Sequence, residues 1–573
     1  MALVTAVDDN IIKCNILDTE KVIIGDTGFI ALSNSENLPV EVIKIIGNTA
    51  VIQCFEDTSG VKQNMEVKFS GIELSAELGP GLIGQTYDGL QNPLDVMADH
   101  CGNYLSKGRE FSKISKDVDW EFTPLVEVGT KVKAGNWLGE VPEFHFSHKI
   151  MVPFYFDGEF IVKSIVSKGK YTLSDTVVIL EQDDQEYPVK MSFSWPVKRA
   201  FPKTAYKERH KPKELLVTGV RILDMLSPIS LGGTACIPGP FGAGKTVLQQ
   251  SLAKYAKIDL VIVAACGERA GEIVEIFQEF PELKDGEGRP LMDRTIIIGN
   301  TSAMPVAARE SSIYLAITLA EYYRAMGLNI LLLADSTSRW AQALREASGR
   351  LEEIPGEEAF PAYLESRIAE FYERAGEIRL HNNKKGSVTV VGTVSPAGGN
   401  FQEPVTQATL ATVGAFWGLS RARAEARKFP SIEATESWSK YKGKNDNLRS
   451  LIHSSLIKGR EVKEMMMVVG KDGVSNEDFI EFLISETLDR CVIQQNAFDA
   501  VDSFCGTERT QKIGDLVNLV LSFETKENRK TEIETLFDKI NSTWINWNYV
   551  SDKDEAKYHE EYSSLYKLLS GDV

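Results

Sequence analysis

The sequence predicts a multidomain chain in four parts: an N-terminal β-barrel, a second β-rich module, an α/β domain with a mostly parallel sheet, and a C-terminal α-helical domain. Three observations carry this reading. The chain has 573 residues, too many for one hydrophobic core, so about three or four domains are expected. A glycine-rich stretch, GPFGAGKT at 239–246, lies between an apolar run that reads as a buried strand and a segment that reads as a helix with one apolar face. The pattern also changes twice, from short β-branched runs to alternating strands and helices near residue 215, then to helical spacing alone near 436.

Residues 1–72 place the short runs Val22–Ile24, Val40–Ile46 and Thr49–Gln53 between Gly-Asp, Gly-Asn and Ser-Gly pairs, the mark of a small barrel. Residues 73–109 contain Leu78-Gly-Pro-Gly81 and Asp88-Gly-Leu-Gln-Asn-Pro-Leu94 and read as a linker. Residues 110–195 return to β character. Within them Val126–Gly139 has the look of a lipoyl- or biotinyl-carrier hairpin, with Lys149 nearby in HKIMVP. The same pattern serves as barrel scaffold, and scaffold is the reading adopted over a modified carrier lysine. Residues 196–435 alternate strands (Thr234–Ile237, Asp259–Cys266, Arg294–Asn300, Leu328–Asp335, Val388–Val394) with helices at Val247–Lys257 and Pro305–Met326. Residues 436–573 carry apolar residues at three- and four-residue spacing, as in Glu477–Cys491 and Ile513–Glu524.

GPFGAGKT fits the phosphate-binding loop pattern, with Gly239, Gly244, Lys245 and Thr246 in the fixed places. Glycines let successive N–H groups turn inward on a phosphate, and the following helix N-terminus adds partial positive charge. The expected nucleotide contacts are therefore Gly239, Pro240, Phe241, Gly242, Ala243, Gly244, Lys245, Thr246 and Val247. Lys245 should reach the β/γ-phosphates, and the Thr246 hydroxyl should ligate Mg²⁺. A plain glycine turn is the alternative; a strand before and a helix after favour the phosphate loop with ATP/ADP.

Asp335 ends the apolar run Ile330–Ala334, the form of a Walker B strand, and should hold Mg²⁺ through water. Glu268 follows the Asp259–Cys266 run and is the candidate for orienting attacking water; its alternative is a surface ion pair with Arg269. Arg269 and Arg339 are candidate γ-phosphate contacts.

Taken together, GPFGAGKT, CGER (266–269), NTSAMPVAARE (300–310), ADSTSRWAQALREASGRLEEIPG (334–356), PAYLESRIAEFYERAG (361–376) and VSPAGGNFQEPVTQ (394–407) resemble the catalytic A subunits of V-type and A-type rotary ATPases. LSAELGPG, DGLQNPL, HKIMVP and the FPSI at 429–432 extend the likeness over most of the chain. The resemblance implies a crown barrel at 1–72, a bulge domain at about 110–195, a RecA-like P-loop nucleotide domain, and a helical domain that touches the rotor. It implies ATP hydrolysis or synthesis coupled to rotation and H⁺ or Na⁺ transport. Lys245, Glu268, Arg269 and Arg339 then match catalytic positions, Thr246 and Asp335 the Mg²⁺ positions, and Phe429 and Phe498 the adenine contacts. The arginine finger is expected from a neighbouring B subunit. Further implied partners are B subunits in an alternating ring of three A and three B, central rotor shaft subunits, peripheral stalk subunits and, indirectly, a membrane ion-carrying sector. The chain would lie at the cytoplasmic face of the membrane as a peripheral protein. Asn92 departs from the arginine usual before Pro93. Ala243 stands where eukaryotic relatives resemble GAFGCGKT, which points to the bacterial or archaeal kind.

The totals agree. A net charge of −18 argues against a nucleic-acid groove as the main working surface, and so against a hexameric motor on RNA. A non-catalytic nucleotide-binding subunit would predict a degenerate loop, whereas Lys245, Thr246 and Glu268 are all present. No window approaches the ~18 continuous apolar residues of a membrane span. MALVTAVDDN lacks the basic start and apolar run of a secretory signal. Seven cysteines without CxxC spacing read as free thiols in a reducing compartment, with no zinc site.

Overall fold

The computed structural model describes residues 2–17, 22–33, 36–102, 107–109, 111–240, 242–443, 446–524 and 529–570. The chain divides into two compact units. One comprises Met1–Pro212, Ile258–Val394 and Gln402–Thr412; the other comprises Lys213–Lys257, Ser395–Phe401 and Val413–Val573.

The first unit opens with a closed six-stranded barrel. Its strands are Ala2–Asp8, Ile11–Ile16, Asp26–Ser33, Glu36–Ile46, Thr49–Cys54 and Glu66–Glu73, the last closing onto the first at Ala2↔Val67. Val4, Ile12, Ile30, Val42, Ile52 and Val67 fill the interior. Val22–Ile24, expected as a strand, is instead the approach to one. Gly25 turns the chain at φ 93°, and the Asp26 carboxylate accepts the Ile23 N–H at 2.9 Å, so pairing begins only at Asp26.

The stretch 73–109, read as a linker, carries two strands and a helix. Ser75–Leu78 pairs with Phe193–Pro196, Thr86–Tyr87 lies parallel to Thr295–Thr301, and Leu94–Cys101 is helical. Elements of two to four residues are too short to leave a periodic signal among glycines and prolines. Asn92 donates from its backbone N and its Nδ2 to the buried Asp88 at 2.7 and 2.8 Å, so the residue that departs from the family pattern still partners an otherwise buried carboxyl.

The β-rich module forms two four-stranded sheets. Val126–Gly139 passes through the short strand Lys131–Val132 into Trp137–Glu143. Lys149 stands in mid-strand in Phe146–Met151, paired with Glu140, donating to Ser147 Oγ at 2.9 Å, and lying 5.2 Å from the Trp137 ring centre. A carrier lysine must stand free at a hairpin tip; this one is tied into a ladder.

Five parallel strands follow in the order Thr86–Tyr87, Thr295–Thr301, Leu260–Glu268, Asn329–Asp335, Lys385–Val394. Their near-continuous apolar character matches burial on both faces, with the almost wholly buried helix Val306–Arg324 packed against them.

In the second unit the strand Thr234–Pro238 runs parallel to Ala415–Phe416, which pairs with Trp438–Ser439. The helix Lys245–Tyr255 follows the glycine-rich loop. The tail consists of helices Asp446–Val469, Asn476–Thr487, Thr507–Leu521, Lys530–Asn548 and Glu555–Ser570, as its spacing predicted. Trp544 and Trp547 are fully buried among them.

Candidate functional site

In the second unit the buried strand Thr234–Pro238 delivers the chain into the loop. A Cβ on Gly239 would lie 2.7 Å from the Leu419 Cβ, so only glycine permits this approach. Gly242 and Gly244 have φ of 76° and 88°, the left-handed region that side chains disfavour. Ala243 is buried, and its carbonyl accepts the Ser431 hydroxyl at 2.5 Å, which anchors the loop from outside. Lys245 begins the helix and folds back, its Nζ donating to Gly239 O at 2.9 Å and to Ser395 Oγ at 2.5 Å. The ammonium is thus held over the loop rather than splayed into solvent. Thr246 is exposed on the first helical turn. Phe241, expected among the nucleotide contacts, lies outside the described residues.

Beside this loop lies an apolar cavity of about 180 Å³. Gly244, Val247, Phe429 and Phe498 all line it, so two aromatics far apart in the chain meet the loop there. The Phe429 ring comes within 3.7 Å of where a Gly244 Cβ would stand. Phe429 is 44% exposed and Phe498 84% exposed, faces left open to a planar apolar ligand. Val220, Leu248, Ser251, Leu419, Gln495 and Ala497 are among the other residues of its wall. Sequence reading missed these; residues gathered from separate segments leave no local pattern to find.

In the first unit the parallel register sets Ala265 opposite Asp335, and Glu268 is the last residue of its strand. Glu268 is only 6% exposed, which does not describe a surface ion pair. Burial, and next the charge of Asp335, lift its carboxyl from the ordinary range to about 7. Asp335 Oδ1 accepts the Thr393 hydroxyl at 2.5 Å, which fixes the carboxylate at the strand end. Gly267 has φ 68°, and a Cβ there would fall 2.9 Å from both Arg309 Cδ and Arg339 Cβ. Arg339 Nη1 donates to Gln342 Oε1 at 3.1 Å, and Gln342 Nε2 to Glu346 Oε1 at 3.0 Å. Glu346 also pairs with the buried Arg309 at 3.2 Å. Arg269 is exposed at the start of the helix Ala270–Glu282. Thr393, Gln342 and Glu346, which hold these groups, also escaped sequence reading.

The charge of Asp335 is one cause of the raised Glu268 carboxyl. Carboxylate and hydroxyl oxygens are the hard donors that Mg²⁺ prefers, and Mg²⁺ needs only one or two of them besides phosphate and water. Asp335 in the first unit and the Thr246 hydroxyl in the second are each donors of that kind.

Family profiles match four successive stretches of the chain. They are described as the ATP synthase alpha/beta family β-barrel domain (16–71), the ATP synthase alpha/beta subunit barrel-sandwich domain (111–198), the ATP synthase alpha/beta family nucleotide-binding domain (219–439) and the C-terminal domain of V and A type ATP synthase (439–534). The V-type ATP synthase alpha chain of Treponema denticola is 53% identical over 545 residues, covering 94% of this chain and 92% of that protein. The V-type ATP synthase alpha chain 1 of Treponema pallidum is 49% identical and covers 100% of this chain and 96% of that protein. Among solved structures, the assembled ATPase EscN of an enteropathogenic E. coli type III secretion system aligns with a TM-score of 0.65 at 20% identity. It covers 91% of this chain and 100% of that one, a likeness of fold. From barrel to helical tail, at about half identity across nearly its whole length, the chain belongs to the family of V-type ATP synthase alpha chains.

Proposed function

We infer that the chain is the catalytic subunit of a rotary ion-translocating ATPase or ATP synthase, a P-loop enzyme acting on the terminal phosphoanhydride bond of ATP. The observation that carries this is Glu268, a buried carboxyl at the end of a central strand, raised toward neutrality beside Asp335. A general base works best with its pKa near the working pH.

The roles follow from each group's chemistry. Backbone N–H groups of the loop between Gly239 and Val247, proline excepted, cradle the phosphates, and Lys245 places its ammonium on the β/γ-phosphates. Thr246 and Asp335 would hold Mg²⁺, which would supply positive charge against the phosphates. Phe429 and Phe498 clasp the adenine. Glu268 accepts a hydrogen bond from water and aims its oxygen at the γ-phosphorus. The new P–O bond forms as the β–γ bridging bond breaks, ADP leaves with that bond's electron pair, and the water proton passes toward Glu268 or phosphate. Arg269 and Arg339 compensate charge on the γ-phosphoryl oxygens.

A V-type ATP synthase alpha chain is part of a multisubunit complex. We assign its neighbours as B subunits in an alternating ring of three and three, with rotor shaft and peripheral stalk subunits and an ion-carrying membrane sector beyond. An arginine from the B subunit completes the site. Among the described residues no helix is long and apolar enough to cross a membrane, in keeping with peripheral attachment, which we place on the cytoplasmic face. The proposed divisions are 1–72, 73–109, 110–195, 196–435 and 436–573.

Glu268→Gln tests the assignment. The amide keeps size but loses charge, so Mg-ATP should bind normally to the assembled complex while the chemical step slows by about 10²–10⁴. Near-normal single-turnover hydrolysis would remove Glu268 from catalysis.

A further inference from the structure

The aromatic cavity is only as well formed as the segment that carries Phe498, and that segment is irregular. Asn496, Ala497, Phe498 and Ser503 all lie on the cavity, between the helical turn ending at Ile493 and the helix beginning at Thr507. No ladder or helix holds this stretch in place. Ser503 meets the Tyr255 hydroxyl at 2.7 Å, Cys505 N–H donates to Gly219 O at 2.9 Å, and the Asn496 side chain accepts the Phe498 N–H at 3.1 Å. The densest tie is a cluster of three buried polar side chains, Arg221, Gln495 and Asp502.

Arg221, at the head of the helix Arg221–Leu226, is 1% exposed. Its guanidinium spends every nitrogen on this stretch and the turn just before it. Nη1 donates to Asp502 Oδ1 at 2.5 Å, Nε to Val492 O at 3.2 Å, and Nη2 to Gln494 O. Its backbone N–H donates to Gln495 Oε1 at 2.8 Å. Gln495 Nε2 in turn donates to Asp502 O at 2.8 Å and Gly219 O at 3.0 Å, and its backbone N–H to Phe429 O at 2.9 Å. Asp502 Oδ2 accepts the Asn496 N–H at 2.7 Å. One ion pair therefore joins both ends of the segment to the chain before the phosphate loop, and through Gln495 to the backbone of Phe429.

We propose that Arg221 and Asp502 are a positioning pair for nucleotide recognition: bracing 494–503 through Gln495, they hold Phe498 opposite Phe429 and so set affinity for the base, while leaving the phosphates to the loop. This rests on the assignment of the cavity to adenine. Neither side chain of the pair lines the cavity, so the pair acts only through the segment that it braces. A planar guanidinium fork fixes a carboxylate and two carbonyls in one geometry, which an ammonium cannot reproduce. A buried pair that loses one charge leaves the other without compensation, so the segment rather than the core should give way.

The test compares Mg-ATP, Mg-ADP and inorganic tripolyphosphate, which has no base, as ligands of the assembled complex carrying Asp502→Asn or Arg221→Lys. Both variants should bind ATP and ADP about tenfold more weakly, bind tripolyphosphate as the parent does, and retain kcat at saturating ATP. Asp502→Glu should recover part of the loss. Unchanged ATP affinity overturns the proposal. So does parallel weakening of ATP and tripolyphosphate with a lowered melting temperature, the signature of a pair that only supports the fold, as does failure of both variants to fold. Phe429→Ala serves as a separate arm. If it leaves ATP affinity intact, the cavity does not take the base, whatever the pair does.

Discussion

Glu268 shows how a single side chain acquires its chemistry from where the chain puts it. A glutamate in water ionises near its ordinary value of 4.5, whereas here the carboxyl holds its proton to about 7. Between those values the folded chain keeps a proton that the unfolded chain has lost, so this group's contribution to stability falls as pH rises from 4.5 to 7 and is lost above it. Glu268→Gln cannot ionise. In the absence of nucleotide and Mg²⁺ it should therefore be more stable than the parent at pH 8, by on the order of 1–3 kcal/mol, and little different at pH 4. Melting temperatures at both values read this directly, and equal behaviour at pH 8 would mean the carboxyl is not destabilised by burial. Lys245 offers a second check. With its Nζ held by Gly239 O and Ser395 Oγ, Lys245→Ala removes the cation yet leaves the glycines to make the turn. Nucleotide affinity and turnover should both drop, and a variant complex hydrolysing ATP at the parental rate would reduce the loop to a structural turn.

The central strands also decide what the thiols do. Cys266 lies inside Leu260–Glu268 and Cys236 inside Thr234–Pro238, both fully buried. Burial pushes the Cys266 thiol up to about 12 and raises Cys236 as well, so neither offers a thiolate at neutral pH. Mild peroxide should leave ATPase activity largely intact; reversible inactivation rescued by dithiothreitol would contradict this. These strands were legible because a strand buried on both faces must be apolar throughout. Thr86–Tyr87 and Ser75–Leu78 were not, since an edge of two to four residues has no room for a pattern. Val22–Ile24 misled for the converse reason: β-branched residues favour extension, but Gly25 and the Asp26 carboxylate turn the chain there.

On the scale of the assembly, the proposed function has a B subunit supply an arginine to the site. The isolated chain should bind nucleotide yet turn over slowly, because a transition-state arginine supplied in trans is worth roughly 10³–10⁵ in rate. Turnover by the pure chain equal to that of the mixed ring would show that all the catalytic charge is already in this polypeptide.

The glycine-rich loop between strand and helix, the acidic strand ends and the family could be read from residue order alone, because a tight turn demands glycine at stated places and a buried strand demands an apolar run. Phe429 and Phe498 came from family likeness, and the cavity on which they meet is built by segments that only folding gathers. The same holds for the raised Glu268 carboxyl, the Thr393 hydroxyl on Asp335, and the Arg221–Asp502 brace. Desolvation, charge repulsion and buried ion pairing depend on neighbours in space, and residues that far apart along a chain become neighbours only when the core excludes water around them.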